Sequence, residues 1–310
     1  MSVFLVCLAA LLLDRLAGEP RWLHPLVGFG ALASRFERRA RRSGRAGLLL
    51  GGLGVVLLAG IPTGLAGLAW VLLEGPGLWL LEVGLLWLAL GWRSLETHAL
   101  AVSEPLARGD LAGARRAVAM LVSRDSEALD ESGVAVAATE SSLENGADAV
   151  FASLFWFAVA GLPGLVLHRL VNTLDAMWGY RTAGYRDFGR GAARLDDLLN
   201  WLPARLTALS YALAGQTRRA LSCWRHQAGA WTSPNAGPVM AAGAAALGLR
   251  LGGPAAYHGG SVERPALGEG RAPTGADIGR ALSLIRRALA LWLLAILLLG
   301  GIAWLYSAGL

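Results

Sequence analysis

The stretch Gly47–Leu73, GLLLGGLGVVLLAGIPTGLAGLAWVLL, contains no charged residue. At about 1.5 Å per helical residue it is long enough to cross a hydrocarbon core of about 30 Å. A helix that is apolar on every face over that length belongs inside a bilayer, so this segment predicts a membrane span and sets the class of the whole chain. Gly47 with Gly51, and Gly60 with Gly64, place small residues at four-residue spacing, which lets another helix approach closely.

The same reading extends in both directions. After a Glu74-Gly75-Pro76 turn, Leu78–Trp92 predicts a second span, with Trp79, Trp87 and Trp92 suited to the interfaces and Glu82 facing protein. Ser2–Leu13 reads as a short first membrane helix. It has neither the basic region nor the small-residue cleavage site of a signal peptide. Ala288–Tyr306 forms a last span behind Arg286-Arg287. Val150–Leu170 is apolar but interrupted by Gly161-Leu162-Pro163-Gly164, so it is either a span or a re-entrant helix. A full span would put the arginine-rich stretch 169–225 outside, against the positive-inside rule, which favours the re-entrant or buried form. Asp14–Arg45 is polar and basic and is expected in the cytoplasm, as are the alanine, arginine and acid-rich helices of Leu95–Asp148. Ala236–Gly253 is small enough to pack closely, and Gly259–Gly275 reads as a loop. The predicted fold is an all-α, polytopic membrane helical bundle with cytoplasmic helical segments, embedded as a single domain.

Composition agrees. The 310 residues are 55% hydrophobic and 16% charged, with a mean hydropathy of +0.49. All 28 basic residues are arginine, against 22 acids. Without lysine, neither a Walker-type phosphate loop nor Schiff-base catalysis can operate. Arg38, Arg39, Arg41, Arg42 and Arg45 flank apolar sequence without aromatic interleaving, which fits membrane orientation and not nucleic-acid binding. Cys7 and Cys223 lack the spacing of a disulfide framework or zinc site and read as structural.

Three polar groups stand out. Glu140, Glu144 and Asp148 recur every four residues, so on an α-helix they share a face that either holds a divalent cation or is simply solvated. Asn172-Thr173-Leu174-Asp175 and Arg194-Leu195-Asp196-Asp197 with Asn200 follow, and these also suit helix caps and interhelical ion pairs. Arg124, Arg181, Arg186 and Arg205 are candidate anion clamps because guanidinium forks match phosphate oxygens. His24, before Pro25, is the histidine best placed for a polar site.

Together and in order, these motifs resemble the CobD/CbiB family, the adenosylcobinamide-phosphate synthases, over nearly the whole chain. They are Leu13-Asp14-Arg15, Gly18-Glu19-Pro20-Arg21-Trp22 and His24-Pro25, then Ser123-Arg124-Asp125 and Glu140 to Asp148. Asn172-Thr173-Leu174-Asp175, Gly179-Tyr180, Phe188-Gly189, Ala193 to Asp197 with Asn200, and Pro203-Ala204-Arg205 come next, followed by Ser233 to Pro238, Leu251-Gly252-Gly253, Tyr257, Gly259-Gly260 and Leu267-Gly268. Ala176 and Trp178 depart from the family's usual serine and smaller residue.

The resemblance implies an ATP-dependent ligation, with Mg2+, of the propionate of adenosylcobyric acid to the amine of (R)-1-amino-2-propanol phosphate. The product is adenosylcobinamide phosphate. It places the chain in the cell inner membrane with its active site facing the cytoplasm, in contact with the lipid bilayer and with room for other late cobalamin-pathway membrane enzymes as partners. On this basis Glu140, Glu144, Asp148, Asp196 and Asp197 are expected to hold magnesium, and Arg124, Arg181 and Arg205 to meet phosphates. Asn145, Asn172, Asn200 and Asn235 would orient substrate, Asp175 or His24 would serve as base, and the corrinoid would lie near Trp178 and Tyr180. A non-enzymatic membrane regulator of the AmpE-like kind and a corrinoid transporter are the competing expectations.

Overall fold

The computed structural model describes residues 3–20, 24–122, 125–180, 182–257 and 260–307. Helices dominate: α1 (Val3–Ala17), α2 (Pro25–Ala40), α3 (Gly44–Val55), α4 (Ile61–Leu72), α5 (Gly75–Ala89), α6 (Trp92–Ala107), α7 (Leu111–Val118), α8 (Glu131–Asn145), α9 (Ala152–Trp178), α10 (Arg190–Ala214), α11 (Thr217–Gln227), α12 (Ala236–Leu247) and α13 (Gly275–Ser307). Four helical stretches are long and apolar enough to cross a membrane: Gly44–Leu72, Gly75–Ala107, Glu131–Trp178 and Gly275–Ser307. The chain is thus an all-α, polytopic helical protein, as its apolar runs predict. α1 has 15 residues and is shorter than these four.

Two of the long runs are interrupted within their apolar sequence. A π-helical turn, Val56–Gly60, separates α3 from α4. Pro62 follows directly; it has no N–H for the carbonyl four residues back, and the wider turn accommodates its ring. The 48-residue run Glu131–Trp178 contains a second π turn at Gly146–Phe151 and a kink at Ala160–Gly161. Gly161 sits at φ 58°, ψ −148°, which side chains rarely tolerate, and a Cβ there would come within 2.8 Å of the Trp70 ring. The interruption expected at Gly161–Gly164 is therefore a true helix break.

The chain divides into two compact units. The first comprises residues 1–91, 152–200 and 296–310, and the second residues 92–151 and 201–295. In the first, Trp178 and Phe188 are fully buried, with ring centroids 4.9 Å apart, and Phe36 stacks on Trp178 at 6.2 Å. The glycine face of α3 lets this cluster close. A Cβ on Gly51 would overlap the Phe188 carbonyl, and one on Gly54 would lie 2.6 Å from the Phe36 ring. Gly47 is likewise packed, against the Arg42 carbonyl. Gly60 and Gly64 do not repeat the pattern, because nothing lies within 4 Å of a Cβ on Gly64 and only Val56, at 4.0 Å, approaches one on Gly60.

In the second unit α12 is buried at every position, which its alanines and glycines permit: a Cβ on Gly243 would lie 2.9 Å from Leu143. Trp292 donates to Ser210 Oγ at 2.8 Å, and Tyr211 donates to the Leu143 carbonyl at 3.1 Å. The segment Gly259–Gly275, expected to be a loop, contributes one strand to each of two short antiparallel pairings with residues just before it. β1 (Arg250–Leu251) pairs with β4 (Leu267–Gly268), and β2 (Ala255–Tyr257) pairs with β3 (Gly260–Val262). The fully buried Asp277 then accepts from Thr274 N (2.8 Å) and Oγ1 (2.9 Å), capping α13 from its first turn.

The contrast between glycines predicts opposite effects of adding one methyl group. Gly51→Ala should destabilise by about 1–3 kcal/mol through overpacking. Gly64→Ala should be neutral or stabilising by up to about 1 kcal/mol through helix propensity. Thermal melting of the two variants in one detergent checks this, and equal melting temperatures would contradict the packing described for α3.

Candidate functional site

In the first unit, the C-terminal part of α9 packs beside the start of α10 and joins four polar side chains. His168 Nε2 lies 3.0 Å from Asn200 Oδ1. Asn200 Nδ2 donates to Asp196 Oδ1 at 3.0 Å, and Asn172 Nδ2 donates to the same oxygen at 3.2 Å. His168 is fully buried, Asn200 nearly so, and Asp196 is 9% exposed. The three- and four-residue spacings from His168 to Asn172 to Asp175 and from Asp196 to Asn200 put these groups on facing helix stripes. Burial pushes the Asp196 carboxyl up to about 6, reinforced by the charge of Asp197 and opposed by the two amide hydrogen bonds and Arg169. Asp175 is half-buried and feels the charges of both Asp196 and Asp197.

Beside this group lies a cavity of about 550 Å³, lined by Tyr180, Tyr185, Arg186, Arg190, Arg194 and Asp197 among others. Asp187, also on its wall, accepts from Gly44 N at 2.6 Å and so occupies one of its oxygens at the start of α3. Tyr185 donates to Glu37 at 2.6 Å, and Arg41 stacks over its ring at 4.6 Å. Arg186, Arg190 and Arg194 form no ion pair among the described residues. These three guanidinium groups outnumber the two carboxylates on the same wall, Asp187 and Asp197, and their fork geometry suits phosphate oxygens. Asp197 supplies a hard oxygen ligand on the same wall. Among the described residues no three His, Cys, Asp or Glu side chains gather to form an all-protein metal cage. A magnesium ion that takes one or two carboxylates and completes its shell with water and substrate phosphate is compatible with this donor set.

In the second unit, Glu140 meets Arg264 as a bidentate pair (Nη1 to Oε2 2.9 Å, Nη2 to Oε1 3.2 Å) and also accepts from Gly252 N at 2.9 Å. Arg264 bonds the Gly253 carbonyl at 3.1 Å and lies 5.3 Å from the Trp231 ring centroid. Both partners are largely buried, so removing either would strand a charge. Arg205 donates to the Trp201 carbonyl (2.7 Å), Asn235 Oδ1 (3.3 Å) and the Pro234 carbonyl (3.4 Å), and it stacks on Trp201 at 4.1 Å. Asn145 is exposed and donates to Ser141 Oγ at 2.8 Å.

Several expectations change on this geometry. The acidic stack Glu140–Glu144–Asp148 does not continue as an α-helical face, because Asp148 falls in the π turn, whose wider bonding rotates the residues after Asn145. Glu140 is engaged by Arg264 and anchors the β1–β4 segment. Asn200 uses both ends of its amide inside the protein, meeting His168 and holding Asp196. Arg205 and Asn235 bond each other and shape the turn before α12. Trp178 is core, while Tyr180 is 52% exposed at the cavity. His24 caps α2, with Nδ1 accepting from Leu26 N at 3.2 Å. Arg124 and Arg181 lie outside the described residues. Sequence reasoning missed His168, whose partner is 32 positions away, and Arg264, 124 positions from Glu140. Arg190 and Arg194 carried a usable signal, since with Arg186 they form a four-residue repeat.

Comparison with known proteins bears on this arrangement. A relative in Stutzerimonas stutzeri (strain A1501), described as Cobalamin biosynthesis protein CobD, is 59% identical over 99% of this chain and 100% of its own length. Proteins of the same description in Chromobacterium violaceum and Mycobacterium tuberculosis (strain H37Rv) are 55% and 41% identical, over 94% and 89% of this chain and 96% and 88% of their own. No solved structure matches. The family model for CobD/Cbib protein matches residues 7–285, and with relatives this similar over nearly its full length the chain belongs to the CobD/CbiB family.

Proposed function

We propose that the chain acts in cobalamin biosynthesis as a membrane-bound ligase. It joins the propionate of adenosylcobyric acid to the amine of (R)-1-amino-2-propanol phosphate at the expense of ATP. The observation that carries this reading is the cavity with three arginines, no ion-paired acid for them among the described residues, and Asp197 on its wall, next to the buried Asp196. A polyphosphate is the ligand that such a charge pattern favours. The class of the relatives supports the pathway, and their full-length similarity supports a shared activity.

The chemistry follows from what a carboxylate lacks. It is a poor acyl donor until its oxygen is phosphorylated, after which amine attack expels phosphate. In this reading Arg186, Arg190 and Arg194 bind and orient the triphosphate and balance charge that develops on the transferred phosphoryl group. Asp197 and Asp196 would hold a magnesium ion, which would neutralise phosphate oxygens when bound. Asp175 takes a proton from the substrate ammonium, and the free amine then attacks the acyl phosphate. Asn172, Asn200 and, through Asn200, His168 hold Asp196 in place. The regulator reading requires none of these groups for turnover, and the transporter reading requires no ATP.

Purified protein in lipid, given adenosylcobyric acid, ATP, Mg2+ and aminopropanol phosphate, should yield a corrinoid of the mass expected for one new amide. Arg194→Gln should lower kcat/KM by about a hundredfold, as loss of one preorganised donor to a transferring group does. Undiminished turnover in Arg194→Gln and Arg190→Gln together would remove this cavity from the mechanism.

Asp196 predicts a pH limb. Because its carboxyl titrates near 6, kcat/KM should fall as pH drops through about 6, where the anion is neutralised. The sign for stability is opposite. A value raised on folding means the folded chain holds this proton more tightly than the unfolded chain, so burial of the charge costs stability in full above about 6 and ceases to cost below the ordinary carboxylate range. Asp196→Asn should therefore be inactive yet melt no lower than the parent at pH 7.5. A variant that is active, or one that melts well below the parent, would show that Asp196 serves the fold and not the reaction.

A further inference from the structure

Two further cavities of the first unit adjoin at the N-terminal end of α2. One, of about 730 Å³, is polar on one side and lined by Glu19, His24, Gly28, Leu88 and Arg169 among others. The second, of about 470 Å³, is apolar and walled by Phe29, Pro62, Leu65, Ala66, Leu85 and Val166 among others. His24, Pro25, Leu26, Leu88 and Arg169 border both, so a space with charged groups on its wall adjoins an apolar one.

The apolar space lies between residues of α4, α5 and α9, each within a stretch able to cross a membrane, so hydrocarbon and not water is its natural content. The polar space brings together a guanidinium, an imidazole and a carboxylate. His24 Nδ1 accepts from Leu26 N, so in the neutral ring the proton is on Nε2, a donor available for an anion. An arginine in a membrane helix marks a ligand path far more often than a structural accident, and basic pockets between membrane helices are where lipid head groups bind. With Glu19 on the same wall, the charge pattern fits a head group that carries a phosphate and an ammonium side by side.

We propose that these joined cavities bind one phosphoethanolamine-headed phospholipid, with its phosphate at Arg169 and His24, its ammonium at Glu19 and one acyl chain along the Leu65–Leu85 groove. This site does not depend on the ligase reading, and its test requires no turnover. Gly28 offers a probe that keeps every polar group: it lies within α2, on the cavity wall, and nothing sits within 4 Å of an added Cβ.

The full chain purified in detergent would be titrated with phosphatidylethanolamine, phosphatidylglycerol, phosphatidylcholine and tail-less phosphoethanolamine, read by native mass spectrometry and thermal melting. One phosphatidylethanolamine should bind per chain, about tenfold or more tighter than phosphatidylcholine, whose quaternary ammonium cannot donate to Glu19. Tail-less phosphoethanolamine should give no thermal shift. Arg169→Gln, Gly28→Leu and Ala66→Trp should each weaken binding by about tenfold or more. Gly28→Leu and Ala66→Trp keep the charges and remove only room, which separates loss of the site from loss of the fold. Equal binding of all three lipids, undiminished binding in Gly28→Leu and Ala66→Trp, or stabilisation by phosphoethanolamine alone would overturn the proposal, the last by assigning the pocket to a soluble aminoalkyl phosphate.

Discussion

One ionisable carboxyl, Asp196, governs the first unit. It is nearly buried among apolar helices, where an unpaired charge would be neutralised, and two amide donors from different helices hold it near a physiological titration point. Asn200 donates usefully only if its amide faces one way, and His168 sets that direction from the far side. The ring nitrogen that faces Asn200 Oδ1 must carry the proton, which leaves His168 Nδ1 bare, and that atom is buried with no hydrogen-bond partner. The arrangement tolerates one unsatisfied acceptor in order to fix an acid beside a cavity rich in arginine.

The helix breaks serve that arrangement. α9 can turn its polar stripe of His168, Asn172 and Asp175 toward α10 because Ala160–Gly161 ends the upstream helical register. α3 can approach the loop before α10 because Gly51 and Gly54 have no side chains to hold it away from Phe188 and Phe36. Asp187 then reaches the first amide of α3, so the loop that carries Tyr185 and Arg186 is tied down at a helix start. Rigid attachment matters here, since an anion site made of long arginine side chains is only as well ordered as the backbone beneath it.

The apolar helices were readable from the sequence because an uncharged run of that length has few alternatives in water. The glycine contacts were half readable: four-residue spacing identified Gly47 and Gly51, which do pack, and equally Gly60 and Gly64, which do not, because spacing cannot say whether a neighbour is there. The geometry of the acidic repeat was likewise only partly legible. Equal spacing implies a shared face only while the helix stays α, and the π turn at Gly146–Phe151 has no obvious signature in its residues. The pairs that organise the polar groups, His168 with Asn200 and Glu140 with Arg264, join positions far apart in the chain, and nothing local in the sequence specifies them.

The complete absence of lysine gives these observations a common basis, because every cation must be a guanidinium. In the second unit four arginines are matched to acids: Arg264 to Glu140, Arg271 and Arg280 to Asp277, and Arg286 to Glu96. Planar forks satisfy buried carboxylates there with two bonds at once, as Arg264 does and as Arg271 does on Asp277 (2.6 and 2.9 Å), so these pairs fasten segments together. In the first unit Arg186, Arg190 and Arg194 have the same chemistry but form no ion pair among the described residues, although Asp187 and Asp197 line the same cavity. Arg190 and Arg194, one helical turn apart on α10, share a face, and with Arg186 from the preceding turn they leave the cavity with more guanidinium than carboxylate, the pattern that an anion with several oxygens fits.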